Sequence, residues 1–191
     1  MPANPATHLI RLGDLSMERI DDLIDISVRL KGRGSSGRLQ GKTVGLLFFR
    51  GSLRTRASLE AAAYQLGANT IHLSASSDFW ALEAATGKVM DGRAPEHVRD
   101  AAKVLSCYVN ALAIRPNPTG TSWEVDRQDA DIRTWAEFSA VPVLNMESTL
   151  WHPLQGLADL MTLREELGEL KQKKLAVVWT HSPTPATPAV V

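Results

Sequence analysis

Two spacings of apolar residues alternate along this chain. At 16–31, Ile20, Leu23, Ile24 and Val28 recur at helical intervals, with Ser16 placed as an N-cap and Glu18 in the first turn. The stretch 42–49 is a continuous apolar run, typical of a strand covered on both faces, and a Gly/Ser-rich loop at 32–38 separates the two. The alternation predicts further helices at 55–66, 96–106, 131–138 and 153–170, and strands at 69–73, 109–114, 142–144 and 173–180. Strands that take turns with helices predict an α/β fold: a parallel sheet with helices on both faces. On this reading 1–152 is one domain, and 153–191 holds a linking helix and the first strand of a second α/β domain, cut short at Val191.

Charge and composition narrow the partners. Lys+Arg and Asp+Glu both total 21, and no block of like charge occurs, which argues against nucleic acid and against an anionic membrane. Cys107 is the only cysteine, so no internal disulfide can form, as suits a reducing cytoplasm. No apolar stretch approaches the ~18 residues of a membrane span, and a soluble, untargeted protein is expected. No His/Cys/Asp/Glu set has the spacing of a metal site, and no nucleotide-binding glycine loop is present.

The chemistry gathers in "FFRGSLRTRASLEAAAYQLG", 48–67, where an apolar strand hands over to an Ala-rich helix through Gly, Ser, Arg and Thr. A helix starting near Leu53 or Arg54 has first-turn N–H groups without internal partners at the positive end of its dipole. Ser52 is placed to cap and to donate its hydroxyl, Thr55 adds a donor, and Arg54 and Arg56 can each grip two oxygens. An oxyanion fits there. The alternative is a plain N-cap followed by two solvated arginines, and spacing alone does not identify a ligand.

This stretch resembles the carbamoyl-phosphate loop of the aspartate and ornithine carbamoyltransferases, with their Phe-x-x-Ser-x-Arg-Thr-Arg between strand and helix. "AIRPNP" is similar to the family's strand-end arginine, making Arg115 the candidate, and "HPLQGLAD" to its His-Pro-x-Gln motif, with His152 and Gln155 matching. Within the family, the sequence most resembles the branch that carbamoylates N-acylated ornithine: Trp80 precedes a V-M-D-G run at 89–92, and Glu147 in "LNMES" precedes the His-Pro-x-Gln motif.

The resemblance implies transfer of a carbamoyl group from carbamoyl phosphate to the δ-amine of an N-acylornithine, with no metal or organic cofactor. It implies that Ser52, the N–H of Leu53, Arg54, Thr55 and Arg56 hold phosphate. Thr55, Arg115 and His152 would face the carbonyl oxygen, and Gln155 the carbamoyl amide. It further implies a homotrimer in which Trp80 reaches a neighbour's phosphate. Glu147, Pro95 and His181 are the candidates for acylornithine contact; His181 stands where the branch usually has a His-Pro pair one place later, here Ser182-Pro183. Pro95 lies where glutamate goes with acetylornithine and proline with succinylornithine, although a proline also suits the first turn of the helix expected at 96–106.

His152 has its own alternative as a helix cap before Pro153, and Trp80 as ordinary core. The family's amine-binding half is expected beyond Val191, so these residues alone are expected to lack part of the catalytic site. Two other readings stay open: a non-catalytic carbamoyl-phosphate-binding or assembly module, and an ordinary ornithine or aspartate carbamoyltransferase.

Overall fold

A computed structural model describes residues 7–33, 37–85, 87–117 and 122–178. After a short 3-10 turn, Leu12–Asp14, helix α1 spans Met17–Arg33. Then follow β1 (Thr43–Phe48), α2 (Arg54–Gln65), β2 (Asn69–Ser74), β3 (Leu82–Glu83), β4 (Glu96–His97) and α3 (Val98–Ser106). The rest is β5 (Ala111–Arg115), α4 (Trp123–Asp126), α5 (Ala130–Phe138), β6 (Val143–Asn145) and α6 (Pro153–Leu167). Ser16 caps α1 as expected, its Oγ accepting from the N–H of Arg19 at 3.2 Å.

The main sheet is parallel, in the order β2-β1-β5-β6. Side chains alternate across it because the strand period is two. Leu47, Leu112, Ile114 and Val143 point to one face and join Val98, Ala102, Ile132 and Trp135 of α3 and α5. Leu46, Phe48 and Ala113 point to the other, with Met146, Leu59 of α2 and Leu154 of α6 packed against them. The sheet therefore carries helices on both faces, the α/β layout the periodicity predicts. That double cover explains why the central strands β1 and β5 read as largely apolar runs.

The chain leaves β1, pairs β2 on one side, and later returns β5 to the other side of β1. The switch opens a crevice beyond the carboxyl ends of β1 and β5, the place where open α/β sheets bind ligands. Phe48 and Arg115 are register partners there.

Several boundaries differ from expectation for physical reasons. The helix expected at 96–106 begins at Val98, because the His97 side chain accepts from the N–H of Arg99 at 3.0 Å and Glu96–His97 pair with Leu82–Glu83. Pro95 therefore lies outside the first helical turn. The strand expected at 109–114 runs Ala111–Arg115, and the helix expected at 153–170 stops at Leu167, where Gly168 takes φ 70°. No strand forms at 173–178, since none of the described strands pairs with it and its backbone lacks a ladder. Val178 is correspondingly exposed. The remaining two positions of that expected strand, 179 and 180, lie outside the described residues.

Helix α2 ends on Gly67 at φ +85°, and a Cβ there would lie 3.2 Å from the Gly37 Cα and 3.4 Å from the Gln40 nitrogen. Gly67→Ala is expected to cost about 1–3 kcal/mol, because it adds left-handed strain to backbone crowding. A urea midpoint unchanged from the parent would show that the turn relaxes freely.

Candidate functional site

Sheet register brings two distant segments together. The carbonyl oxygen of Arg115 accepts from the N–H of Phe49 at 3.0 Å, so β5 ends against the point where β1 leaves for α2. The Arg115 guanidinium then turns into the loop, donating through Nη1 to Ser52 Oγ at 3.1 Å and to Thr55 Oγ1 at 2.9 Å. Ser52 does not cap the helix. Leu53 occupies the N-cap in a helical conformation without a side-chain cap, because the Ser52 hydroxyl is committed to Arg115. The first-turn N–H groups of α2 thus stay open to a ligand.

The cleft above them has a volume of about 950 Å³. Ser52, Leu53, Arg54 and Thr55 form one wall, and Arg115, Glu147, His152 and Gln155 the other. Arg54 is exposed and makes no hydrogen bond or ion pair with any described residue. It is a spare cation at the mouth of the cleft.

His152 combines both readings of it. It is the N-cap of α6 with Pro153 in the first turn, and its Nδ1 accepts from the N–H of Gln155 at 3.4 Å. That bond leaves Nε2 as the protonated nitrogen of a neutral ring. Burial lowers the His152 pKa below its ordinary value; Arg115 and Arg50 add to the effect, and Glu147 opposes it. Gln155 donates to Asp159 Oδ1 at 2.8 Å, which holds its amide along the helix.

Glu147 is the most buried charge in the cleft, its side chain 8% exposed. Its Oε2 pairs with Arg115 Nη2 at 2.5 Å and its Oε1 with Arg50 Nη2 at 2.8 Å. Burial lowers the Arg115 pKa and Glu147 counters it, but a guanidinium stays protonated throughout.

A buried polar knot sets the loop that carries Glu147. Asn145 Nδ2 donates to the Ile10 carbonyl oxygen at 3.0 Å and to Ser148 Oγ at 3.0 Å, and its Oδ1 accepts from the Glu147 N–H at 3.0 Å. Asp129, in a left-handed conformation at φ 49°, accepts from Ser148 Oγ at 2.7 Å and from the Thr149 N–H at 3.0 Å. Burial raises the Asp129 pKa, and these hydrogen bonds oppose that shift.

Three candidates fall outside the cleft. Arg56 is drawn along α2 to Glu60, at 3.0 Å, and lines a separate cavity of about 380 Å³ with Ser74, Ser76 and Asp78. Trp80 is 75% exposed on its loop, so it is not core, and it borders a third cavity beside Phe79 and Trp135. Pro95 is exposed and borders none of these cavities. His181 lies outside the described residues. Sequence reasoning missed Arg50, Asn145 and Asp129. Arg50 stood inside the quoted loop and Asn145 in "LNMES", but their partners are far away in sequence and no local spacing announces them. Among the described residues no group of three or more His, Cys, Asp or Glu could hold a metal, and no helix is long and apolar enough to cross a membrane.

Comparison with known proteins adds a family and relatives. Residues 7–165 match the aspartate/ornithine carbamoyltransferase carbamoyl-P binding domain. The chain is 38% identical over 185 residues to the N-acetylornithine carbamoyltransferase of Xanthomonas campestris pv. campestris, covering 96% of this chain and 54% of that protein. It is 36% identical over 151 residues to the N-succinylornithine carbamoyltransferase of Bacteroides thetaiotaomicron, covering 79% of this chain and 47% of that one. Among solved structures, an N-acetyl-L-ornithine transcarbamylase variant with proline in place of one glutamate, complexed with carbamyl phosphate and N-succinyl-L-norvaline, superposes with a TM-score of 0.82 at 37% identity. That match covers 87% of this chain and 50% of the other. The chain spans about half the length of these relatives.

The depressed pKa of His152 gives a pH prediction with a definite sign. Unfolded, the ring takes up a proton near the ordinary histidine value of about 6.5; folded, it does so only at lower pH. The unfolded state therefore binds more protons in that window, and stability falls as pH drops through it. His8, also lowered by burial, adds in the same direction. His152→Asn keeps an N-cap acceptor and removes one titrating group. The fall in urea midpoint between about pH 7.5 and about pH 5.5 should be smaller in this variant. An identical fall would mean that His152 titrates as an exposed ring.

Proposed function

Because the chain belongs to the aspartate/ornithine carbamoyltransferase family through its carbamoyl-phosphate-binding domain, we propose that it is the donor-binding part of an enzyme that carbamoylates the δ-amine of an N-acylornithine. The products are an N-acylcitrulline and phosphate, formed in arginine biosynthesis in the cytoplasm. Residues 153–191 lead into the acceptor domain. One observation carries the reading: a single cleft joins the open N-terminus of α2 and Arg54 to Arg115, His152 and Gln155.

The donor brings its own leaving group, so the protein's work is to bind, orient and polarise. Ser52, Arg54, Thr55 and Arg56, with the N–H of Leu53, hold the phosphate oxygens, Arg56 after release from Glu60. Thr55, Arg115 and His152 donate to the carbonyl oxygen. His152 suits this role as a neutral ring with Nε2–H directed inward, since it supplies a hydrogen bond without needing to be charged. Gln155 accepts from the carbamoyl amide. The acceptor's nitrogen lone pair forms the new C–N bond, the carbonyl π pair moves onto oxygen, and the pair returns as the C–O bond to phosphate breaks. The surplus proton of the amine leaves with phosphate.

Glu147, Pro95 and His181 face the acceptor, with the succinylated substrate favoured. A proline leaves room for an extra carboxylate that a glutamate would repel. Solved relatives with proline, serine, valine or alanine in place of one glutamate are all complexed with N-succinyl-L-norvaline, which fits the removal of that charge rather than proline in particular. A homotrimer with shared sites would account for Trp80, an exposed aromatic outside the chain's own cleft.

Arg54→Ala should weaken carbamoyl phosphate binding about a hundredfold, a loss of ~3 kcal/mol, and leave the circular dichroism unchanged. Unaltered affinity by calorimetry would remove the cleft from consideration. For the acceptor, full-length protein should prefer succinylornithine to acetylornithine in parallel assays, and Pro95→Glu should reverse the order; a preference that ignores the substitution leaves Pro95 without a role. For the assembly, mixing Trp80→Ala with Arg54→Ala subunits of full-length protein should recover some activity, whereas a mixture as inactive as its parents rules out shared sites.

A further inference from the structure

The Glu147 carboxylate stands where an incoming anion has to be received. Its Oε2 is 2.5 Å from Arg115 Nη2 and 3.9 Å from His152 Nε2, and both groups face the cleft. An anion entering that cleft brings like charge against Glu147 and competes with it for Arg115. The carboxylate needs somewhere else to be held.

Arg50 supplies that place. It does not border the cleft; it lines the neighbouring cavity and reaches Glu147 from behind, through Nη2 to Oε1 at 2.8 Å and to the backbone oxygen at 3.4 Å. Its side chain is 25% exposed, and its Nε is buried without a partner, so this N–H is still free to donate to the carboxylate. Arg115 and Arg50 therefore hold the two oxygens of one carboxylate from opposite sides, and only Arg115 also reaches the loop hydroxyls.

We propose that Arg50 is a positioning residue that draws Glu147 back when an anion binds, freeing Arg115 to donate to that anion. Without Arg50 the carboxylate has a single strong cationic partner and stays on Arg115. The inference rests on the anion-site reading of the preceding subsection, and it makes Arg50 act through Glu147 instead of on the ligand. An arginine that merely added positive charge to the pocket would help an anion whether or not Glu147 was ionised.

A double-mutant cycle separates the two. The 191-residue chain is titrated by calorimetry with carbamoyl phosphate and, separately, with inorganic phosphate, as parent, Arg50→Met, Glu147→Gln and the double variant. Arg50→Met should weaken binding about tenfold in the parent and less than about twofold in the Glu147→Gln background, and Arg50→Lys should restore most of the loss. Equal weakening in both backgrounds, or none in the parent, overturns the proposal. If circular dichroism shows Arg50→Met unfolded, Arg50→Gln takes its place in the cycle. Phosphate binding without carbamoyl phosphate binding would sink the proposed function alone, since the cycle can still be read on phosphate. Normal parental binding with no coupling sinks the role of Arg50 alone, and binding of neither anion sinks both.

Discussion

The site depends on one register: β1 and β5 run parallel with Phe48 opposite Arg115. Shifted by one residue, the strand would turn Arg115 to the other face and send Ile114 toward the loop, since alternate side chains point oppositely. The register is held by burial. Leu47 and Ile114 go to one core and Leu46 and Ala113 to the other, so a one-residue slip of β5 would force Ile114 and Ala113 each into the wrong core. The arginine is thus aimed by hydrophobic residues that never touch a ligand.

Electrostatics then set what the cleft accepts. Arg54, Arg115 and the open start of α2 concentrate positive potential at the end of the sheet, in a chain whose formal net charge is zero. The buried Glu147 tempers that potential. It keeps Arg115 paired, since an unpaired buried guanidinium would be costly. The same pairing puts ligand binding in competition with an internal ion pair. On the proposed reading, affinity for an anion is a difference between two sets of charge contacts, one of them the Glu147 pair with Arg115.

What the sequence disclosed follows how local each cause is. The alternating periods reported the layers and the parallel sheet, because burial on two faces leaves its mark on the central strands β1 and β5. The hand-over from Phe48 to Thr55 was legible for a similar reason: the strand end, the small residues and the helix start are all neighbours in the chain. Arg115 and His152 became legible only through motif order. Arg50, Asn145 and Asp129 were not legible, since each acts on a segment roughly twenty to a hundred or more residues away. The two-residue strands β3 and β4 were too short to show any period. Ser52 was misassigned as a cap because its competing partner, Arg115, comes 63 positions later.

The N-terminal segment has a further part in this arrangement. Leu9 bridges alongside Leu144, donating to the Val143 oxygen at 2.8 Å and accepting from the Asn145 N–H at 2.9 Å, while the Ile10 oxygen receives the Asn145 side chain. The loop bearing Glu147 is therefore tied to residues 135 positions earlier in the chain. Closing so long a loop is entropically expensive, and contacts of that separation form late when a chain folds. During synthesis the strand-to-helix loop of β1 and α2 can take shape well before Asn145 has been made, so the cationic wall of the cleft precedes its carboxylate.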